Sequence, residues 1–406
     1  MLTGHDIVYC AQGTWDGLWR SRQQLMSVFA RQNQVLYVEG RPTARNALQH
    51  LLGRHRARRE RRVPSIRRAS ERLFVLRFPM WAPESDHFPF NRLSRTIGRL
   101  YMRAALQKLQ MSRPIAWFSQ PSMVGLVEAI PSACLRVYHM YDEYSAYGSQ
   151  TALDQQRIWE QEKHLIRLMD MVIAVSQKLY DAKRCLNPHT YLVPHGVNYQ
   201  AYLDALHDDV TPDSLRTIRA PRLGYVGLIS DKVDLNMLKE LARNHPEWSF
   251  VFVGEARVTS QVGAWQALLA MPNVHYLGQV EVSQVPYYVK GFDVGLVPYV
   301  LNRFAENAQP LKLFDYLAAG IPVASVDVPA VREYRQYIHL APGPGDFAQA
   351  VRAALSDTTF ERCQARRDLA AQHTWEVRAE QISNLLETHL LPTGQKARAV
   401  CDHTAT

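Results

Sequence analysis

Segment 310–325, PLKLFDYLAAGIPVAS, combines two charged side chains with the signals of a helix that leads into a buried strand. Pro310 suits the first turn of a helix, and Gly320 is placed to end that helix. Lys312 and Asp315 then lie in its first turns, beside the end of a parallel sheet, where α/β folds bind anionic ligands. The lysine suits a phosphate and the aspartate suits a sugar hydroxyl. An ordinary strand–helix–strand crossover with two surface charges is the alternative interpretation.

Other strand ends in the second half of the chain carry glycine or polar residues: Gly227 and Lys232 in GYVGLISDK, Glu255 in FVGEAR, and Tyr299 in DVGLVPY. A glycine allows a ligand to approach the backbone closely, and a lysine supplies a point charge for a phosphate. Each of these features also occurs in ordinary strand–helix turns, so it is their clustering at strand ends that favours a binding site.

The sequence lacks the short motifs of several large enzyme classes. It contains no G-x-G-x-x-G fingerprint of a nicotinamide or flavin enzyme and no P-loop. It also lacks a G-x-S-x-G nucleophile elbow and an H-E-x-x-H zinc motif. Any phosphate site must therefore be built differently.

Two groups of polar residues stand out in the first half of the chain. His139 and Asp142 both lie at the end of the predicted strand 135–143, where either could orient or deprotonate an attacking hydroxyl. Residues after the first strand supply glycine, aromatic rings and hydrogen-bond donors that suit a sugar acceptor or its phosphate: Gly13, Trp15, Asp16, Arg20, Arg22 and Gln23. Alternatively, His139 packs in the core, Asp142 caps a turn, and Asp16 caps a helix.

Length and composition indicate a globular protein with two domains, because 406 residues exceed one ordinary core. No apolar run is long enough to cross a bilayer, and the N-terminus lacks the features of a signal peptide, which predicts a cytoplasmic location. The five cysteines are scattered, which argues against a disulfide frame or a zinc site and predicts no bound metal.

The net charge of +9 is concentrated in segment 54–72, which holds nine arginines and two glutamates. Such clustering suits an anionic membrane surface. A solvated loop is the alternative, and nucleic acid ranks lower because the run has no interleaved aromatic residues.

Strand and helix patterns alternate in both halves of the chain, which predicts an α/β fold with two parallel-sheet domains. Strands are predicted in the first half at 6–11, 34–40, 73–79, 114–121, 135–143, 171–176 and 191–198. Those of the second half are predicted at 221–227, 248–254, 274–278, 293–299 and 321–326. Helices are expected over 18–31, 91–111, 151–170 and 375–390.

Together these segments resemble the GT-B glycosyltransferases, and especially the retaining group that includes the teichuronic acid biosynthesis transferases. The resemblance is carried by PLKLFDYLAAGIPV, YVGLISDK, DVGLVPY, VPHGVN, WDGLWRSRQQL and TWEVRAEQI. It implies two Rossmann-like domains that face a central cleft. The domains implied are an acceptor-binding domain at 1–197, a nucleotide-sugar domain at 198–374, a crossover helix at 375–392 and a flexible tail at 393–406.

The resemblance also implies roles for individual residues. Lys232 and Lys312 would neutralise the donor diphosphate, and Asp315 would bind the nucleotide ribose. The implied donor site is completed by Gly227, Glu255, Tyr299, Pro310 and Leu311. Asp142 and His139 would reach the sugar and the acceptor from the first domain, and the acceptor would contact Gly13, Trp15, Asp16, Arg20 and Gln23.

One departure from the family pattern concerns the donor sugar. The wider family spaces two glutamates eight residues apart, whereas this chain has Asn307 eight residues before Asp315. The adjacent Glu306 is the candidate for the first acidic role.

The predicted function is retaining transfer of a sugar from a UDP- or GDP-linked donor to a saccharide or lipid-linked acceptor in cell-surface polysaccharide biosynthesis, with no further cofactor. The arginine-rich segment would hold the enzyme at the inner face of the plasma membrane. The alternatives are a nucleotide-sugar epimerase of the same fold and a non-catalytic module that binds sugar nucleotides.

Overall fold

The structure is a computed structural model that describes residues 1–17, 19–41, 65–79, 90–146, 151–302, 305 and 310–391. The chain divides into two compact units. The first unit comprises Met1–Val193 and the chain from Arg378 onward, and the second comprises Pro194–Val377.

The first unit is built on a sheet that is parallel apart from one edge strand. Its described strands are β1 (Asp6–Cys10), β2 (Gln34–Val38), β3 (Ile66–Arg68), β4 (Leu73–Leu76), β5 (Ile115–Phe118), β6 (Leu135–Met140), β7 (Met171–Ala174) and β8 (Thr190–Leu192). They lie in the order β3-β4-β2-β1-β5-β6-β7-β8, and only β3 is antiparallel to its neighbour. Because β2 and β5 flank β1, the chain changes direction across the sheet at β1, which is where such sheets open a crevice at their carboxyl edge.

Helices cover this sheet. They are Ser21–Phe29, Phe90–Lys108, Ala152–Leu168 and Gln177–Lys183, with the 3-10 helices Pro121–Ala129 and Tyr144–Ala146. Most of the terminal helix, Trp375–Leu390, also belongs to this unit, and Glu380 in it binds the amino group of Met1 at 2.6 Å.

The second unit has a parallel sheet of its own. Its strands are β9 (Arg222–Val226), β11 (Ser249–Val253), β13 (Val274–Tyr276), β14 (Val294–Val297), β15 (Val323–Val326) and β16 (His339–Ala341), with the small pair β10 (Ile229–Ser230) and β12 (Ala256–Arg257). The larger sheet has the order β13-β11-β9-β14-β15-β16. Here β11 and β14 flank β9, so the change of direction falls at β9.

Helices of the second unit lie between these strands. They are Tyr199–His207, Asp213–Arg216, Leu235–Asn244, Val262–Leu269, Val285–Val289, Leu311–Ala319, Phe347–Leu355 and Phe360–Ala371, with the 3-10 helices Val282–Gln284, Pro329–Tyr334 and Pro344–Asp346.

Tyr316 fixes the helix Leu311–Ala319 against the sheet. Its hydroxyl accepts a hydrogen bond from the Val226 amide at 3.1 Å and lies 3.2 Å from the carbonyl oxygens of Gly224 and Leu296. The ring covers Gly295, where an added Cβ would come within 2.4 Å of it. A glycine on β14 is thus required for the helix to lie this close.

The structure confirms the α/β fold class and the main elements, with shifts at their ends. Strand β6 ends at Met140, so Asp142 lies beyond it, and the first helix begins at Ser21. The short strands β3, β10, β12 and β16 were not predicted, because three residues or fewer cannot display a periodic pattern.

The arginine-rich segment ends in one of those short strands. Residues 65–72 are described, and they include β3 at the edge of the first sheet. Arg67 forms an ion pair with Asp16 at 2.6 Å, and the guanidinium group of Arg68 donates to the carbonyl groups of Ser70 and Glu71. These two arginines are therefore used within the fold rather than in a solvated loop.

Candidate functional site

The carboxyl edge of the second sheet is shaped by glycines with left-handed backbone conformations. Gly227, Gly254 and Gly278 follow β9, β11 and β13, with φ of +118°, +143° and +73°. A Cβ on Gly254 would lie 2.0 Å from the carbonyl oxygen of Gly227, so the two backbones approach too closely for any side chain. The predicted glycine turn at Gly227 therefore presents bare backbone at the point where β9 changes neighbours.

Lys312 lies next to this turn. A Cβ on Gly227 would be 3.8 Å from Cε of Lys312. The lysine side chain is buried, its Nζ donates a hydrogen bond of 2.7 Å to the hydroxyl of Tyr299, and it lies 4.6 Å from the ring centres of Tyr225 and Tyr299. Within the described part of the chain these aromatic groups, and not a carboxylate, surround the ammonium group.

This environment keeps Lys312 protonated. Burial alone lowers the pKa of the ammonium group, but the charge interactions with Tyr225, Tyr299 and Tyr316 outweigh it and raise the pKa. Burial also raises the pKa of Tyr225, to about 12, although Lys312 opposes that rise. The site thus holds a fixed positive charge at the sheet edge, as binding of a phosphate requires.

Asp315 lies one turn further along the same helix and is partly buried. Burial raises the pKa of its carboxyl group to about 6, opposed by a hydrogen bond from the Tyr202 hydroxyl and by the charge of Lys312. The carboxylate is therefore already held by a partner from the helix Tyr199–His207.

The remaining predicted donor residues have different surroundings. Pro310 is the residue that immediately precedes the helix, and Leu311 begins it. The loop that carries Lys232 pairs with the chain around Tyr299, through Val233 and the 2.9 Å bond from Val300 N–H to the carbonyl of Lys232. Glu255 lies at the same edge but forms an ion pair with Arg257 at 2.6 Å. Glu306 and Asn307 lie outside the described residues.

In the first unit, His139 lies within β6 and is buried, rather than at an open strand end. Its Nδ1 lies 3.0 Å from the hydroxyl of Tyr141, which in turn lies 3.0 Å from the hydroxyl of Tyr9. The three side chains form a hydrogen-bonded chain across the sheet face.

Asp142 follows β6 in a segment that is anchored on both sides. The buried Lys183 ammonium lies 2.6 Å from Glu162 and 3.2 Å from Glu143, and the Tyr144 hydroxyl donates to the Ser119 carbonyl at 2.8 Å. This network fixes the backbone that carries Asp142, which is only partly buried.

The predicted acceptor residues are divided between structural and exposed positions. Gln23 is buried and caps its own helix, because it accepts from the Arg20 amide at 3.0 Å and donates to the Thr14 carbonyl. Trp15 is buried against Tyr37, with ring centres 5.0 Å apart. Asp16 is exposed and paired with Arg67, whereas Gly13 has nothing within 4 Å of an added Cβ.

Sequence reasoning missed Gln12 and Gln120. These amides follow β1 and β5 and hydrogen-bond to each other, so they bridge the two strands at the change of direction. A Cβ on Gly40, after β2, would lie 2.0 Å from the carbonyl oxygen of Gln12. The signal available was their position after strands, but isolated glutamines have no motif.

Among the described residues, no group of three or more His, Cys, Asp or Glu side chains is arranged to hold a metal ion. Nor does the described chain contain a helix with the length and apolar character needed to cross a membrane.

Comparison with known proteins assigns the second unit. Residues 220–357 match the family described as Glycosyl transferases group 1. The chain is 29% identical over 324 residues to the teichuronic acid biosynthesis glycosyltransferase TuaH of Bacillus subtilis (strain 168). This alignment covers 73% of this chain and 78% of that protein.

Solved structures share the fold over nearly the whole chain. Sucrose-phosphate synthase from Thermosynechococcus elongatus aligns with a TM-score of 0.69 at 15% identity, over 94% of this chain and 98% of that one. WaaG, a glycosyltransferase involved in lipopolysaccharide biosynthesis, aligns with a TM-score of 0.60 at 13% identity, over 95% and 99%. The chain is therefore a glycosyltransferase with the GT-B fold, and residues 220–357 of its second unit match the Glycosyl transferases group 1 family.

Proposed function

We propose that this glycosyltransferase transfers a sugar, with retention of configuration, from a UDP- or GDP-linked donor to a saccharide or lipid-linked acceptor in cell-surface polysaccharide biosynthesis. The observation that carries the proposal is the buried, protonated Lys312 beside the left-handed Gly227, at the edge of a Glycosyl transferases group 1 domain. The similarity to a teichuronic acid biosynthesis glycosyltransferase supports the class of product.

The donor diphosphate is proposed to lie against Gly227, with Lys312 and Lys232 supplying the positive charge. A fixed ammonium group stabilises the departing nucleoside diphosphate and takes the place of a metal ion. Asp315, which already has a partner in Tyr202, binds the ribose by exchanging or sharing that hydrogen bond. Gly227, Glu255, Tyr299, Pro310 and Leu311 complete the donor site in this proposal.

Asp142 is proposed to contact the reacting sugar or acceptor directly, because it stands on an anchored segment at the carboxyl edge. His139 acts through the hydroxyl of Tyr141, and Glu306 keeps the first acidic role. Gly13, Trp15, Asp16, Arg20 and Gln23 form or support the acceptor side.

A peripheral membrane position is proposed from two basic regions. The first is the arginine-rich segment 54–72, most of which lies outside the described residues. The second is the helix Phe90–Lys108, which contains no acidic residue. Its side chains Leu93 and Leu100 are 59% and 60% exposed to solvent. The exposed basic residues of that helix are Arg92, Arg95, Arg99, Arg103 and Lys108. Exposed leucines among basic residues suit the surface of an anionic bilayer, where each charge contributes about 1 kcal/mol.

The enzymatic proposal is tested by incubating the protein with UDP- and GDP-sugars, with and without saccharide acceptors. Acceptor-dependent release of nucleoside diphosphate supports it. Interconversion of the donor sugars would show an epimerase, and donor binding without turnover would show a non-catalytic module.

The membrane proposal is tested by sedimentation with phosphatidylglycerol vesicles, with phosphatidylcholine vesicles as the control. Replacing the arginines of 54–62 by glutamine, or Leu93 and Leu100 by serine, should each reduce sedimentation while nucleoside diphosphate binding persists. Undiminished sedimentation of both variants would contradict this assignment.

A further inference from the structure

Arg22 lies in the first turn of the helix Ser21–Phe29 and is only partly exposed, yet no residue of opposite charge pairs with it in the part of the chain that the structure describes. Its charge interacts with a set of tyrosine hydroxyls at the carboxyl edge of the first sheet: Tyr9, Tyr37, Tyr141 and Tyr144. Within the described residues Arg22 makes neither a hydrogen bond nor an ion pair. Burial acts to lower the pKa of its guanidinium group, and these tyrosines raise it, so the charge persists.

Two described carboxylates of the same unit, Glu39 and Asp16, already have other partners. Glu39 is buried, binds Arg77 at 2.7 Å and accepts from the Trp15 amide at 2.8 Å. Asp16 is paired with Arg67. Among the described residues, the free protein therefore holds a partly exposed guanidinium group with five donors and no paired anion.

Tyr37 provides a second and independent observation. Its side chain is fully buried, and its hydroxyl has no hydrogen-bond partner among the described residues. The other hydroxyls of the cluster differ, since Tyr9 and Tyr141 bind each other and Tyr144 binds the Ser119 carbonyl. The Tyr37 ring stacks on the ring of Tyr9, with centres 5.6 Å apart, and the charges of Arg22 and Arg20 both act on its hydroxyl.

Groups of this kind are costly to leave unsatisfied. A partly buried cation without a counter-ion loses part of its solvation, and a buried hydroxyl without a partner loses all of it, with no compensating contact. The pair is complementary to one kind of ligand, a planar or tetrahedral anion that accepts two bonds from a guanidinium fork and one from a hydroxyl.

We propose that Arg22 and Tyr37 form a subsite for an anionic group on the acceptor, either the carboxylate of a uronic acid or a sugar phosphate. This inference rests on the proposed function, in which the first unit binds the acceptor. It implies that the enzyme selects charged acceptors over neutral sugars, because leaving Arg22 unpaired opposes binding of a neutral one.

The test measures thermal unfolding of the full chain in sodium glucuronate, glucose 6-phosphate or glucose, at ionic strength matched with sodium chloride. We expect the charged compounds, or one of them, to raise the unfolding temperature in a dose-dependent manner, and glucose to have no effect. Stabilisation by glucuronate alone identifies a carboxylate, by glucose 6-phosphate alone a phosphate, and by both a site for either anion.

The variants separate this role from a structural one. R22M should weaken the apparent affinity for the stabilising anion at least tenfold, by the order expected for a charge-assisted contact. Without ligand it should unfold at the same or a higher temperature, because an unpaired charge has been removed. Y37F should lower the affinity for the anion several-fold without destabilising the fold. R22K should retain part of that affinity because the charge remains. R31M, at an exposed position two residues beyond the end of the same helix, is the matched control and should behave like the wild type.

Equal stabilisation by glucose, no stabilisation by either anion, or an unchanged anion effect in R22M would overturn the proposal. A marked fall in the unfolding temperature of ligand-free R22M would instead assign Arg22 to the fold. UDP and GDP are included as a separate arm. If they stabilise the protein while both anions fail, the anion subsite is wrong and the proposed transferase stands; if they fail as well, the proposed function itself is in doubt.

Discussion

Both units place a cation among tyrosines at the carboxyl edge of a parallel sheet, but they satisfy it differently. In the second unit, Lys312 donates to Tyr299 and lies over two aromatic rings. In the first, the charge of Arg22 interacts with four tyrosine hydroxyls, and no hydrogen bond joins Arg22 to another described residue. A compact ammonium group is satisfied by one acceptor and ring faces, whereas a guanidinium fork needs a planar anion to use its donors.

The backbone beneath these cations is alike in the two units. After β2, a Cβ on Gly40 would lie 2.0 Å from the Gln12 carbonyl oxygen, and after β11 a Cβ on Gly254 would lie 2.0 Å from that of Gly227. In each case the end of one strand presses against the turn after its parallel neighbour. The difference is that Gly254 also has a φ of +143°, so two constraints act there. The comparison teaches that the scaffold repeats while the chemistry on it diverges.

The largest expected effect concerns this shared approach. G254A and G40A should each lower the free energy of unfolding by roughly 2–4 kcal/mol, with the greater loss in G254A, because the Cβ meets backbone that cannot rotate away. Urea unfolding measures both. The control is G263A, where an added Cβ meets nothing within 4 Å in the helix Val262–Leu269 and should be neutral or stabilising by about 0.5 kcal/mol. Tolerance of alanine at Gly254 would show that the two edges are not equally tight.

Loss of the Lys312 charge should lower the affinity of the second unit for the nucleotide donor. K312M keeps the packing of the side chain but removes its charge, and affinity for UDP or GDP should fall by about 1.5–3 kcal/mol in calorimetry. K239M, on the helix Leu235–Asn244, serves as the control for a lost lysine in the same unit. Unaltered affinity in K312M would remove Lys312 from the donor site and leave Arg22 as the better candidate for an anion site.

The raised pKa of Asp315 should give the stability of the protein a pH dependence that the D315N variant lacks. Asp315 has a pKa of about 6 in the folded protein, above its ordinary value near 3.9, so the folded state holds this proton more tightly. Its contribution to stability is therefore complete below about pH 4 and is lost as the pH rises through 6. Between those limits the wild type should lose roughly 2 kcal/mol that D315N does not lose, since one pKa unit corresponds to about 1.4 kcal/mol. Parallel stability profiles for the two proteins would show that Asp315 is not strained by burial.

The smallest effects concern the free protein. K312M should lower stability by up to about 1 kcal/mol, because it leaves the hydroxyl of the partly buried Tyr299 without its lysine donor, whereas R22M should leave stability unchanged or raise it. Thermal unfolding without ligand measures whether each substitution raises or lowers the stability. A loss of stability in both variants would mean that the two cations are satisfied alike.

Much of the second unit could be predicted from the sequence, since glycines after apolar strands, a proline before a helix and a glycine after it are local signals. Gly320 ends the helix Leu311–Ala319 with φ of +78°, as predicted. The importance of Tyr316 could not be predicted, because it depends on carbonyl and amide groups of β9 and β14. In the first unit the candidate residues were located, but their roles were not, since Gln23 caps a helix and His139 lies inside the sheet.

Residue order and local periodicity thus suffice for the two α/β units, the strand ends and the positions of Lys312 and Arg22, because these depend on backbone geometry and on burial patterns a few residues long. Whether each cation is satisfied was decided only when the chain folded. Lys312 meets a tyrosine 13 residues away, whereas the carboxylates near Arg22 are taken by Arg67 and Arg77 from distant strands and loops. Such pairings depend on which side chains reach one another across the sheet, and no local pattern in the chain encodes that distance.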